Sequence, residues 1–100
     1  MSYKIDLHTH SIASPDGGLN LANYKQMLNS GGLDFIAITD HNTTDFALKA
    51  RKLLGEQIII GQEISTLQGE VIGLFLSSTI KPGQTLQKTI KDITQQNGLV

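Results

Sequence analysis

Short apolar runs alternate with stretches in which apolar residues recur every three or four positions, so the chain reads as strands alternating with helices. Tyr3 to Leu7 suits a strand, and Ser14-Pro15-Asp16-Gly17 has the residue preferences of a type I turn. Asn20 can cap a first helix, with Leu21, Tyr24, Met27 and Leu28 at helical spacing and Gly31-Gly32 as its stop. This predicts a helix over roughly residues 21–30. Phe35 to Ile38 is a continuous apolar run, as in a parallel strand covered on both faces. Asn42, Thr43 or Thr44 can cap a second helix, whose Phe46, Ala50, Leu53 and Leu54 share a face before Gly55.

A third strand is expected from Gln57 to Gly61. Ile64 to Leu67, the turn at Gln68-Gly69 and Val71 to Leu76 then predict a hairpin. Pro82-Gly83 breaks the chain, Thr85 can cap a third helix with Leu86, Ile90 and Ile93 on one face, and Asn97-Gly98 can end it. Leu99-Val100 would begin a further strand. The expected class is α/β, with mainly parallel strands, one hairpin and right-handed crossovers. The pattern leaves open whether the sheet is flat or curls into a barrel.

The 100 residues fit one small domain without internal repeat or linker, and composition is that of an ordinary globular protein. A domain of this size buries a smaller share of its surface than a larger one, so metal or a partner chain would add needed stability. With no cysteine, disulfides and thiolate ligands are excluded, leaving imidazole and carboxylate as the strong metal-binding groups. The formal charge of −1, with scattered Lys and Arg, lacks the basic field of a nucleic-acid binder. The first residues hold no apolar stretch long enough for a signal peptide or membrane span, so a cytoplasmic location and no membrane partner are expected.

Candidate chemistry begins at Asp6-Leu7-His8-Thr9-His10. Alternate residues of an extended chain point the same way, so Asp6, His8 and His10 should share a side. Two such imidazoles can bind one metal ion, and a carboxylate behind them can accept a ring N–H and fix the tautomer. By itself an H-x-H pair is equally well read as polar residues at a strand end. The pattern recurs, however: the second strand runs into Thr39-Asp40-His41-Asn42 and the third into Gly61-Gln62-Glu63. Loops after the strands of an α/β sheet lie at one end, where active sites form. All three histidines of the chain fall there, and a shared metal ion would offset the burial of such groups.

In order and spacing, Asp6-Leu7-His8-Thr9-His10-Ser11, Thr39-Asp40-His41-Asn42 and Gly61-Gln62-Glu63-Ile64-Ser65 resemble the first three motifs of the PHP (polymerase and histidinol phosphatase) family. The resemblance implies the N-terminal portion of a distorted seven-stranded β/α barrel. It also implies a multinuclear site of Mn, Fe or Zn and hydrolysis of phosphate esters. It makes His8, His10 and His41 metal ligands and Glu63 a metal-bridging carboxylate. Asp16 matches a ligand in the loop after the first motif, with a simple turn-forming role as the alternative. Asp40 is either a partner to a ligand or a cap of the second helix. Glu70 stands where some members carry a histidine ligand, and either replaces it as an oxygen ligand or is a solvated residue beside the hairpin turn, the second being slightly favoured. The family pattern continues past Val100 with a further histidine motif and an Asp-x-His pair, so residues 1–100 are expected to be the first part of the domain.

A metal-dependent phosphoesterase acting on a phosphorylated small molecule or nucleotide is therefore the leading expectation. An amidohydrolase, whose barrel also places an H-x-H pair after its first strand, is one alternative. A metal-binding or structural half-domain without activity is another, and its open sheet edges and uncovered apolar face would favour self-association. The candidate loops, residues 9–20, 40–44 and 62–69, hold no Lys or Arg, so charge stabilisation there would fall mainly to metal.

Overall fold

In the computed structural model, which describes residues 2–100, the elements are β1 (Ile5–Thr9), α1 (Leu21–Asn29), β2 (Phe35–Ile38), α2 (Asp45–Leu54), β3 (Ile58–Thr66), β4 (Gly69–Leu74) and α3 (Leu86–Gln95). The strands form one sheet in the order β1-β2-β3-β4, parallel from β1 to β3 and antiparallel between β3 and β4. The sheet curls into a half-barrel, consistent with part of a PHP barrel.

Strand alternation sorts the apolar residues onto two faces. On the outer face, Ile36, Ile38 and Ile58 pack with Tyr24 of α1 and with Ala47 and Ala50 of α2. Farther along the same face, Ile64 packs with Leu76, Ile80 and with Ile93 of α3. Each large side chain fully buried there is worth about 1.5–3 kcal/mol relative to exposure, so these two clusters fasten the helices to the sheet. The inner face carries Ala37, Ile59 and Leu74, with Phe35 and Ile72 beside them.

Local chemistry accounts for the helix ends. Asn20 and Asn23 exchange side-chain-to-backbone bonds of 2.9 Å in a capping box on α1, and Thr85 Oγ1 accepts from Lys88 N on α3. Asn97 takes the left-handed conformation after α3, φ 62°, as a terminating Asn commonly does.

Three expectations are corrected. The predicted third strand and the first arm of the hairpin are one strand, β3, because the ladder to β4 runs unbroken from Gly61 to Thr66. In α2 the buried positions are Ala47 and Ala50, whereas Leu53 is 61% exposed. Thr44 occupies the cap position of α2 without a side-chain cap bond, and Thr43 Oγ1 accepts from Asp45 N instead.

Candidate metal centre

A one-residue bulge in β1 sets the first half of the site. Asp6 pairs with Ile36 and Thr9 with Ile38, so three steps on β1 match two on β2. Residues paired across neighbouring strands face the same way, which puts Asp6 and Thr9 on the outer, helix-covered face. Thr9 Oγ1 donates to Ala37 O (2.8 Å), and the buried Tyr24 hydroxyl therefore donates to Thr9 Oγ1 (2.8 Å). Burial, together with the nearby Asp40 and Asp6 charges, raises the Tyr24 pKa to about 12 against the opposing pull of the Thr9 bond. The bulge turns His8 inward, and His10 follows on the same side. Asp6 does not share that side, contrary to simple alternation, and its carboxylate accepts from the backbone N of His8 (3.1 Å) instead of a ring N–H.

Strand β3 brings Glu63 to meet the two imidazoles. Its Oε1 lies 2.7 Å from His8 Nε2 and 2.9 Å from His10 Nε2. The ladder between the β2 side and β3 resumes beyond Ile38, with Glu63 N donating to Asp40 O and Asn42 N to Glu63 O. His41 is thereby fixed beside Glu63, its Nδ1 3.9 Å from Glu63 Oε2 and 3.3 Å from Glu70 Oε2. Asp16 closes the cluster from the loop after β1, with Oδ1 3.0 Å from His10 Nδ1 and Oδ2 3.0 Å from His41 Nε2.

Three overlapping groups could hold a metal ion: His8-His10-Glu63, His10-Asp16-His41 and His41-Glu63-Glu70, each with its ligand atoms within 4.8 Å of one another. A neutral imidazole has a single lone pair, so His10 and His41 could each ligate an ion through one nitrogen only, the other being a donor. The three groups therefore cannot be filled together with complete donor sets. Glu63, which has two oxygens and belongs to two of the groups, is the carboxylate able to bridge them.

Hydrogen bonding to Asp16 is the largest influence on His41 and raises its pKa above 6.5; burial opposes this, and the Glu63, Asp16 and Glu70 charges add to it. The same bond holds Asp16 below its ordinary 3.8. Burial pushes Glu63 upward most strongly, but hydrogen bonds with His8, His10 and Glu70 and the charge of His41 together carry it below 4.5. A protein that gathers three imidazoles around carboxylates, with no Lys or Arg among their ion-pair partners in the described residues, presents nitrogen and oxygen donors suited to a divalent ion.

Residues 6–97 match the PHP domain family. The chain belongs to that family. Among curated proteins, this PHP chain is 37% identical over 109 residues to the uncharacterized protein MJ1587 of Methanocaldococcus jannaschii, covering 96% of the chain and 64% of that protein. It is 35% identical over 102 residues to the uncharacterized protein MJ0417 of the same organism, covering 97% of the chain and 37% of that protein. The PHP chain thus spans less than two thirds of the length of either relative.

The structure gathers His8, His10, Asp16, His41 and Glu63 at one end of the sheet. Strand pairing of Ser65 with Glu70 brings the half-exposed Glu70 carboxylate to 3.3 Å from His41 Nδ1, within reach of the cluster, as the ligand reading of its two readings requires. Asp40 caps no helix. It is buried, and accepts hydrogen bonds from Ser11 and Ser14. Asn42, another expected cap, binds Ser65 on β3 through its amide oxygen (2.9 Å) and holds a left-handed φ of 58°. The Asn-Thr-Thr string signalled a helix start and gave no sign of this cross-strand tie.

Proposed function

We propose that this PHP chain carries the metal-binding part of a phosphoesterase that hydrolyses phosphate mono- or diesters, the chain forming the first part of its domain. The observation that carries the reading is the convergence of three imidazoles and three carboxylates at one end of the half-barrel. Family membership supports phosphate-ester chemistry over the amidohydrolase alternative.

His8, His10 and Glu63 would hold one divalent ion, and His41 with Asp16 or Glu70 a second. Divalent ions so held supply a lowered water pKa and offset the charge on phosphoryl oxygens. The chain's own residues do the rest of the work in this half. Glu63 keeps the ligand groups within bridging distance, and Asp16 orients the His10 ring by accepting its Nδ1–H and lies beside His41 Nε2, with which it would share an ion. Mn, Fe and Zn all suit such a nitrogen and oxygen donor set. The substrate is a phosphorylated small molecule or nucleotide, and a cytoplasmic location belongs to the same reading. Among the described residues no helix is long and apolar enough to cross a membrane.

Metal content of the purified chain, compared with a His8→Ala, His10→Ala double variant, is the deciding measurement. Bound Mn, Fe or Zn lost in the variant, with metal-dependent release of phosphate from aryl phosphate esters, is the expected result. A chain that takes up no divalent metal after reconstitution would overturn it.

A further inference from the structure

The carboxylate of Asp40 is 1% exposed and lies among hydroxyl and amide groups. Its Oδ1 accepts from Ser11 N (2.6 Å) and Ser14 Oγ (2.8 Å), and its Oδ2 accepts from Ser11 Oγ (2.6 Å). Ser14 Oγ in turn accepts from His41 N (3.0 Å), and the Asp40 carbonyl accepts from Glu63 N (3.0 Å). One buried residue is therefore hydrogen-bonded to the neighbour of His10, to a residue two before Asp16, and to Glu63 itself, and it directly precedes His41.

Other bonds of the loop after β1 tie it mainly to itself. Ser14 N donates to Ser11 O and Gly17 N to Ser14 O, closing turns within the loop itself. Gly17 lies so close beneath Ser11 that an added Cβ would stand 2.2 Å from Ser11 O, so this close turn requires glycine. Among the described residues, hydrogen bonds between residues 11–18 and residues 39–42 run through the Asp40 carboxylate or the Ser14 hydroxyl, apart from the Asp16–His41 pair. Three buried donors converge on Asp40, and only a carboxylate offers two acceptor oxygens without a donor of its own. Burying such a group is unfavourable unless its bonds are made, so its retention requires the loop to be seated.

We propose that Asp40 is a positioning residue of the metal centre: by clamping Ser11 and Ser14 it sets the loop that carries Asp16 at ligand distance from His41. Its oxygens are already engaged by Ser11 and Ser14, and it belongs to none of the groups that could hold an ion, so it acts through the loop and not as a ligand. This inference rests on the metal reading above.

The test is Co²⁺ titration of the wild-type chain and of Asp40→Ala, Asp40→Asn and Ser14→Ala, followed by calorimetry, visible absorption and bound-metal stoichiometry. Thermal melts of the metal-free proteins run in parallel. Asp40→Ala should weaken Co²⁺ held by Asp16 and His41 by about 10–100-fold, the range for removing a group that orients a ligand, while absorption from the His8-His10-Glu63 group persists. Asp40→Asn keeps one acceptor oxygen and should recover part of that loss. Wild-type affinity and stoichiometry in folded Asp40→Ala, whatever its melting temperature, would overturn the proposal. Should Asp40→Ala fail to fold, Asp40→Asn and Ser14→Ala decide it: weakened Co²⁺ binding supports the clamp, and wild-type binding in both overturns it. If the wild-type chain takes up no Co²⁺, the metal reading falls by itself. Amide exchange at His41 then judges the clamp, with faster exchange in Asp40→Asn supporting it and unchanged exchange overturning it.

Discussion

Glu63 Oε1 lies 2.9 Å from His10 Nε2, although 53 residues separate the two in sequence and the whole of β2 separates their strands. The curl of the sheet makes this possible, because it turns the inner face of β3 toward the end of β1. Glu63 is mostly buried, and the partners of its side chain are the candidate ligands themselves.

Glu63→Gln keeps the shape of the side chain and removes its charge. Groups that only orient ligands are typically worth 10–100-fold in metal affinity, so loss of a shared ligand should weaken Mn²⁺ binding by at least about 100-fold. Equilibrium dialysis of the two proteins checks this. Affinity within a few-fold of wild type would remove Glu63 from the ligand set.

The pH dependence of stability should reverse sign with metal. In the metal-free chain the raised pKa of His41 adds stability that is complete below about 6.5 and lost as pH climbs through the higher folded value. The lowered pKa values of Asp16 and Glu63 add stability above their ordinary 3.8 and 4.5 that is lost on acidification. Metal-free protein should thus be most stable in mildly acidic solution, between these ranges. Metal binding requires neutral imidazoles, so stabilisation by Mn²⁺ should instead grow with pH across the same upper range. Denaturant melts from pH 4 to pH 8, with chelator or with Mn²⁺, test both slopes; a metal-free chain that gains stability steadily from pH 6 to pH 8 would contradict the first.

Much of this fold was legible in the sequence because its signals are local. The caps at Asn20 and Thr85 and the apolar run of Phe35 to Ile38 need no tertiary information. The break expected after Gly61 failed for the opposite reason. Gln62 is polar but fully buried inside β3, where its amide accepts from Ile80 N and donates to Ile80 O at 2.8 Å each, a tertiary pairing that no neighbouring residue announces. Leu53 was drawn into the helix face by hydropathy, whereas close approach of α2 to the sheet selects the small Ala47 and Ala50. Within the site, the inward sharing of His8 and His10 follows from alternation, but the place of Asp6 depends on a bulge visible only in the register with β2. Glu70 is brought in by the hairpin register, which a one-residue slip would have reversed.

Glu70 offers a graded test of the third ligand group. Its Oε2 is 3.3 Å from His41 Nδ1, and its side chain is half exposed, so it can hold an ion or orient His41 only weakly. Glu70→Ala should lower Mn²⁺ affinity by about tenfold, the lower end of the range for orienting groups. Glu70→Lys, which adds a cation beside the site, should lower it further. Calorimetric titration distinguishes these from an unchanged value, which would return Glu70 to the solvated role.

The inner face of the half-barrel gives a prediction independent of metal. A groove of about 530 Å³ opens there, lined by Ile5, Phe35, Ile59 and Phe75 together with Arg51 and Glu56. Phe75 holds φ 59°, an unfavourable conformation for a bulky residue, and is 54% exposed. Ile5 lies nearby on β1, whose outer edge has no strand partner among the described residues. An apolar groove beside an open strand edge favours association, and an Arg and a Glu in one lining can pair reciprocally across a two-fold axis. Sedimentation velocity of the 100-residue chain should therefore show reversible self-association that rises with concentration. Phe75→Glu, which places charge in the groove without touching the metal cluster, should shift the chain toward monomer and leave metal uptake unchanged. A wild-type chain that stays monomeric at high concentration would show that the exposed groove is too small to drive association by itself.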